Sequence, residues 1–354
     1  MKKMKICLIR VTFFFPFILF VSSCAGTYQL SIEVQEPAAI TLSPDIADLL
    51  IVNNSAKQPN SQGIVQTYNK KDIPDFALDL DSIVWHTIHS FSSHAHKAHF
   101  FKSLSYYKQP LREDEKWLVR TPLSLEFKRS IFDEQAFSGI FSIDRCLLKL
   151  DGQIRNNMLK QGSNTFYYAD FRLELNLACS IYLYNREKPL TTFTVTDSLI
   201  YKDGVWSDSL FIFKELPETL MTELAYNMGE KLAYQIVPSW ATKKRVLYVE
   251  QSSRMREAFA FTKTGQWNRA ESLWLVEFDK KTKNRDKAKI ANNIAVANEI
   301  QDRPEAALRW AEKAKEYAVN GSGEWLLFND YAESLQKRIQ DNHLLDIQWG
   351  KSDK

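Results

Sequence analysis

The stretch Phe171-Arg172-Leu173-Glu174-Leu175-Asn176-Leu177 alternates apolar and polar residues without a break. Such alternation places the apolar side chains on one face of a β-strand. The pattern extends over residues 167–184 and returns over residues 190–201. The turn-prone segment 185–188 predicts a hairpin between these strands, and Asp203-Gly204 predicts a second turn. The middle of the chain is therefore predicted to be an antiparallel sheet.

The residues before this sheet predict a mixture of strands and helices. Residues 46–53 form a short apolar run that is typical of a buried strand. Apolar positions within residues 77–92 predict a helix, and residues 124–137 predict a second helix that ends before a glycine. Residues 140–148 predict another strand. The N-terminal fold class is therefore α+β.

A longer helix is predicted directly after the sheet. Pro217 and Glu218 suit the first turn of a helix, and Pro238 marks its end. Apolar residues then recur at four-residue spacing, namely Leu220, Leu224, Met228, Leu232 and Ile236. We expect this stripe to pack over the sheet.

Beyond about Lys244 the pattern becomes helical, and small and aromatic residues follow one another in a set order. These residues are Ala258, Phe261, Gly265, Trp267, Ala270 and Trp274. The order resembles the tetratricopeptide repeat, which consists of two antiparallel helices. The resemblance implies that the glycine permits a tight turn, that the alanines let the helices approach, and that the tryptophans fill the groove between them.

A second copy lies 37 residues further on, where Ala295, Ala307 and Ala311 provide the close contacts. Asp302 stands in place of the turn glycine, and with Glu305 it predicts an N-cap. Residues 324–340 predict either a capping helix or a degenerate third repeat. Since about three repeats are normally needed for this architecture, a plain helical bundle without a groove is the alternative.

The N-terminal residues predict an exported and anchored protein. Four basic residues precede the apolar run 11–21, which is short for a transmembrane helix. Val21-Ser22-Ser23-Cys24 resembles the bacterial lipobox, and this resemblance implies that Cys24 is acylated and begins the mature protein. An ordinary cleavable signal is the alternative. Because no acidic cluster follows Cys24, the resemblance implies an outer-membrane lipoprotein that faces the periplasm, with the membrane as its first partner.

The charge and the cysteines restrict the function further. The net charge is +3, but the four basic residues of the leader leave −1 for the remainder, which argues against nucleic acid as a partner. Outside the leader and Cys24 only Cys146 and Cys179 remain, both in strand-like apolar runs. They are either bonded to each other or buried as free thiols.

The histidines and lysines are concentrated in two places. Five of six histidines lie within residues 86–99, and His94, His96 and His99 are the candidates for a metal site, since imidazole binds zinc, nickel and copper. In a helix, His89, His96 and His99 share roughly one side. A solvated helix end is the alternative, and we expect no metal or other cofactor. The basic run 280–289 is either a solvated face or a contact for anionic headgroups or an acidic partner.

No known catalytic motif is present in the sequence. Nothing resembles G-x-S-x-G, a P-loop or a dinucleotide-binding fingerprint. Asp79, Asp81, Asp197 and Asp203 lie near predicted strand or turn ends, but a hydrolase needs two carboxylates that converge, and a sequence does not show convergence. We therefore expect a protein that is not an enzyme.

The whole arrangement resembles a family of envelope lipoproteins of unknown function in gut-type Gram-negative bacteria, with Val52-Asn53-Asn54 and Pro238-Ser239-Trp240 as shared cues. The expected division of the chain is a signal peptide (1–23), a lipidated tether (24–39), an α+β domain (40–240), a tetratricopeptide-like helical domain (241–345) and a tail (346–354). We expect the helical surface to dock an envelope protein without catalysis. A lipoprotein that binds a small ligand or glycan through the aromatic residues of the α+β domain is the alternative.

Overall fold

The computed structural model describes residues 26–59, 62–72, 80–134, 137–184, 186–209, 212–249 and 252–351. The described chain forms two compact units. We call residues 33–243 and 337–351 the sheet unit, and residues 26–32 and 244–336 the helical unit. The elements in chain order are β1 (Thr27–Glu36), β2 (Asp48–Asn53), β3 (Ile64–Tyr68), β4 (Lys71–Asp72), α1 (Leu80–Ala98), β5 (Ser103–Tyr106), α2 (Leu125–Glu134), β6 (Gly139–Gln161), β7 (Asn164–Tyr182), β8 (Thr191–Ser207), α3 (Ile212–Ile236), β9 (Ser239–Tyr248), α4 (Ser253–Lys263), α5 (Trp267–Lys280), α6 (Asn284–Ile300), α7 (Pro304–Tyr317) and α8 (Gly323–Gln348).

The sheet unit is built around the long strand β6. Along one edge, the first part of β6 pairs in parallel with β2, and a later part pairs in parallel with β3. Along the other edge, β6 pairs with β7 over almost its whole length, and β7 pairs with β8, both in antiparallel fashion. The short strands β4 and β5 pair with β3 and β2. The predicted antiparallel sheet in the middle of the chain is therefore confirmed.

Helices α1 and α3 pack together with the sheet in one hydrophobic core. The predicted apolar stripe of α3 is buried, with Leu224, Met228 and Leu232 each at 0% exposure. Gly229 makes the close approach of the two helices possible, because a Cβ there would lie 2.4 Å from the Thr87 carbonyl oxygen of α1. The prediction that this helix covers the sheet is confirmed.

Three local predictions in the sheet unit were wrong, namely a turn in β8, the start of α3 and the end of α1. Asp203-Gly204 is not a turn, because β8 continues to Ser207 and Gly204 pairs with Tyr168. The glycine is needed for packing, since a Cβ at this position would lie 2.1 Å from the ring of Phe166. Helix α3 begins at Ile212, before Pro217.

The first helix, α1, also runs further than predicted, to Ala98, so His99 follows its end with a φ of 53° instead of sharing its face.

The helical unit contains α4 to α7, the first part of α8 and the adjoining parts of β1 and β9. Strands β1 and β9 pair with each other as a separate two-stranded sheet. Residues 27–36, which fall in the predicted tether, thus form strand β1. Within the described ranges, none of the helices combines the length and the apolar character needed to cross a bilayer. The α+β class, with helices at the C-terminal side, is confirmed.

Candidate functional site

The residues singled out for repeat packing lie together in the helical unit. Ala258 on α4 and Ala270 and Trp274 on α5 are fully buried in one core. Ala295, Ala307 and Ala311 belong to the same core and are also at 0% exposure. Phe261 and Trp267 are half-buried and pack against it. Since alanine is the smallest apolar side chain, the helix axes approach closely wherever it lies between them.

The turns between the paired helices share an unusual backbone conformation. Gly265, between α4 and α5, has a φ of 72°, and Asp302, between α6 and α7, has a φ of 54°. These residues are 37 positions apart, the same interval as between the two predicted copies. Asp302 is not the N-cap, because Arg303 takes that position and Pro304 begins α7. An aspartate tolerates this left-handed conformation better than most residues do, which explains how it replaces glycine.

Helix α6 binds strand β9 through two consecutive asparagines that sequence reasoning did not single out. The Asn292 side-chain amide donates to the Val246 carbonyl at 2.7 Å. Asn293 binds both main-chain groups of Tyr248, donating to its carbonyl at 2.7 Å and accepting from its N–H at 2.8 Å. The signal in the sequence was a polar pair inside the otherwise apolar run 290–297. Strand β9 therefore occupies one side of α6.

A buried ion pair also attaches strand β9 to α6, at the residue directly before Val246. Arg245 binds Glu299 of α6 with two hydrogen bonds of 2.7 and 2.8 Å, and Glu299 has no exposed side-chain surface. The Tyr331 hydroxyl donates to the same carboxylate at 2.7 Å. Burial by itself lowers the pKa of Arg245, but the hydrogen bond and charge of Glu299 outweigh it and raise that pKa. A buried pair of this geometry holds its strand in one register.

Beside this pair the helical unit has an open cavity of about 220 Å³. Its lining is Lys244, Arg245, Val246, Tyr248, Asn292, Leu327, Phe328, Asp330, Tyr331 and Ser334. We call this cavity the α8 cleft, because α8 supplies half of these residues. Leu327 is 55% exposed at the cleft, and its neighbour Leu326 is 51% exposed. An exposed leucine in the lining of a largely apolar cavity is suited to contact an apolar side chain of another molecule.

The basic run 280–289 is largely engaged within the helical unit. Lys281 pairs with Glu277 at 3.4 Å, while Arg285 and Lys289 both pair with Glu324, at 3.3 and 3.2 Å. Lys287 lies over the rings of Phe278 and Tyr317. Burial raises the pKa of Glu324, but hydrogen bonds from Arg285 and Lys289 outweigh it and lower that pKa. Much of the positive charge is thus matched internally.

The histidine candidates lie in the sheet unit, on α1 and directly after its end. His94 Nδ1 lies 2.9 Å from the Ser90 carbonyl oxygen, and its Nε2 lies 3.8 Å from Glu230. The rings of His96 and His99 are 5.9 Å apart between centroids. Among the described residues, no three His, Cys, Asp or Glu side chains are grouped to hold a metal ion.

Sequence reasoning missed one buried carboxylate that has four side-chain partners, Asp144. Asp144 sits at an irregularity in β6 and is fully buried. It accepts hydrogen bonds from Ser142, Ser180 and Asn54. Arg120 pairs with it at 3.2 Å. These contacts attach the segment before α2 to the sheet and satisfy the carboxylate, as a structural network requires.

The remaining sequence candidates fall in different places. Cys146 and Cys179 are buried free thiols on β6 and β7, and burial raises the pKa of Cys146 to about 12. Asp197 pairs with Lys231 of α3 at 2.6 Å. Cys24 and Asp79 lie outside the described residues.

A family model described as "Domain of unknown function (DUF6340)" matches residues 256–337. No curated protein matches the chain. A solved structure of a neuraminyllactose-binding hemagglutinin homolog from Helicobacter pylori covers 63% of this chain and 92% of its own, at 10% identity and a TM-score of 0.23. Likeness at that level supports no argument about fold or function. A second model, "Domain of unknown function (DUF8603)", matches residues 46–248, more than half of the chain, so the protein belongs to this uncharacterised family.

Proposed function

We propose that the protein is a membrane-anchored envelope lipoprotein that docks another envelope protein without catalysis, through its tetratricopeptide-like helices. The proposal rests on the α8 cleft, a largely apolar cavity whose lining includes the exposed Leu327. A partner side chain of leucine or phenylalanine size would displace water from this cavity. Pockets of this kind supply much of the energy of protein–protein binding.

The position of strand β9 decides which surface is available for docking. Asn292, Asn293 and Glu299 already bind main-chain and side-chain groups of β9. A partner that used this face of α6 would first have to break those bonds. A partner that binds at the α8 cleft breaks none of these bonds, because Leu327 and Asp330 are already exposed to solvent. Docking at the cleft is therefore the less costly mode.

The anchor in this proposal is Cys24. The basic residues and the apolar run before it, followed by Val21-Ser22-Ser23, support export and acylation. The proposed location is the outer membrane, facing the periplasm. One acyl chain binds a bilayer only weakly, so a firm anchor requires more than one chain.

Site-specific photo-crosslinking in cells tests the docking proposal. A photoreactive amino acid replaces Leu327 in one variant and Val276 in the control, an α5 residue that is 46% exposed and does not line the cleft. The proposal predicts one discrete adduct from position 327 and none from 276. The adduct should disappear when Cys24 is changed to alanine, because the protein is then no longer anchored to the membrane next to its partner. Equal adducts from both positions would contradict it.

A further inference from the structure

The sheet unit contains a cavity of about 250 Å³ where α1 and α3 end and β9 begins. The buried residues Ala233, Val237 and Pro238 form its apolar floor. His94 and Lys97 of α1 and Tyr234 of α3 line it as well, and Trp240 of β9 lies at its edge.

Trp240 is an unusual residue for its position. It is 61% exposed, whereas the next outward-facing residues along β9 are Thr242 and Lys244, which are both polar. An indole left in water at this position contributes little to folding, because it buries little apolar area. A flat aromatic face beside a cavity is instead a surface for contact with another molecule.

Hydrogen bonds within the protein hold two of the polar side chains of the cavity, Tyr234 and His94. The Tyr234 hydroxyl donates to Glu230, and burial followed by this hydrogen bond raises the pKa of Tyr234 to about 12. His94 Nδ1 faces the Ser90 carbonyl, which can only accept, so Nδ1 carries a proton. The other ring nitrogen, Nε2, faces Glu230 at 3.8 Å. Tyrosine and histidine are therefore oriented before any ligand arrives.

We propose that this cavity binds one pyranose ring of a glycan, with its C–H face stacked on Trp240 and its hydroxyl groups bonded to Tyr234, His94 and Lys97. The cavity is smaller than the roughly 300–1,000 Å³ of pockets for drug-sized ligands, which suits a single ring. Sugar hydroxyl groups both donate and accept, as this set of side chains requires. An acyl chain would use none of the polar groups. This role is separate from the docking function, so either can fail alone.

Saturation-transfer NMR on the full chain in mild detergent tests the inference. The probes are methyl β-glucopyranoside, methyl β-galactopyranoside and methyl N-acetyl-β-glucosaminide, because a single ring with few contacts binds with a dissociation constant on the order of 1 mM. At least one probe should receive saturation, most strongly at its ring C–H protons. Trp240→Ala should lose at least nine-tenths of the signal, and Trp240→Phe should retain part of it.

The control variant is Trp206→Ala, which removes another exposed tryptophan of the sheet unit. Trp206 lies on β8, is 42% exposed and does not line this cavity. Its signal should match that of the unchanged protein. Unaltered circular dichroism of Trp240→Ala would show that it folds. Absence of transfer to all three sugars, or a signal that survives Trp240→Ala, would overturn the inference. Quenching of Trp240 fluorescence by vesicles of brominated phosphatidylethanolamine and phosphatidylglycerol, without any sugar signal, would assign Trp240 to the membrane surface and also overturn it.

Discussion

Replacement of Trp274 by alanine should remove a large part of the stability of the helical unit. The side chain is fully buried in the core between the paired helices. A tryptophan buries about 150–250 Å², which corresponds to about 4–6 kcal/mol at about 25 cal/mol per Å². Alanine retains a small part of that area, and the core collapses partly around the gap. We therefore expect a loss of about 3–5 kcal/mol.

Two further variants separate packing from polarity in this prediction. The indole N–H of Trp274 is buried without a hydrogen-bond partner among the described residues, and such a donor costs about 1–3 kcal/mol. Trp274→Phe removes that donor while keeping an aromatic ring, so its loss should stay below about 2 kcal/mol. Trp267 is only half-buried, so Trp267→Ala should lose about half as much as Trp274→Ala.

Hydrogen exchange followed by mass spectrometry at increasing urea measures these effects in α4 to α7 separately from the sheet unit. This choice matters because a chain with two compact units is not expected to unfold in one step. A loss under about 1 kcal/mol for Trp274→Ala would refute the packing argument. A larger loss for Trp267→Ala than for Trp274→Ala would refute it too.

Three other changes test separate parts of the structure. Gly229→Ala should destabilise the sheet unit by about 1–3 kcal/mol in urea unfolding, because its Cβ meets backbone atoms of α1; Gly323→Ala, which meets nothing within 4 Å, is the matched control and should not. Burial raises the pKa of Glu277, but hydrogen bonds from neighbouring side chains, including Arg254, outweigh it and lower that pKa, so the ionised carboxylate stabilises the fold above the unfolded pKa and this gain disappears as pH falls through the lower folded value. Glu277→Gln should therefore flatten the fall of the melting temperature below about pH 5, and an unchanged acid dependence would contradict this. Cys24→Ser should abolish incorporation of an alkyne-tagged fatty acid, and labelling that persists would contradict acylation at Cys24.

Much of the fold was predictable because its signals are local and periodic. Residues 171–177 alternate strictly, and β7 indeed buries one face of them. The stripe of α3 follows the helical period and is buried as expected. The wrong turn at Gly204 shows the limit of such signals, because glycine there serves a contact with Phe166 on another strand. A contact between residues that are distant in sequence produces no periodic pattern in the sequence.

The candidate site was less predictable for the same reason. The small and aromatic residues from Ala258 to Trp274 indicated paired helices, and they do lie in one core or beside it. The sequence did not reveal that Asn292 and Asn293 bind strand β9, because that strand precedes them by some 45 residues. The α8 cleft depends on the same tertiary placement, since Tyr248 and Leu327 meet there. Exposure of a leucine likewise follows from the packing of its neighbours.

The affinity of the purified partner, once its photo-adduct identifies it, tests the docking account most directly. Titration of that partner should show at least a tenfold weaker dissociation constant for Leu327→Asp, because a charge in the apolar cleft forfeits about 1.4 kcal/mol or more. The control Val276→Asp should stay within about twofold of the unchanged protein. Equal affinities for the unchanged protein and Leu327→Asp would contradict docking at the α8 cleft.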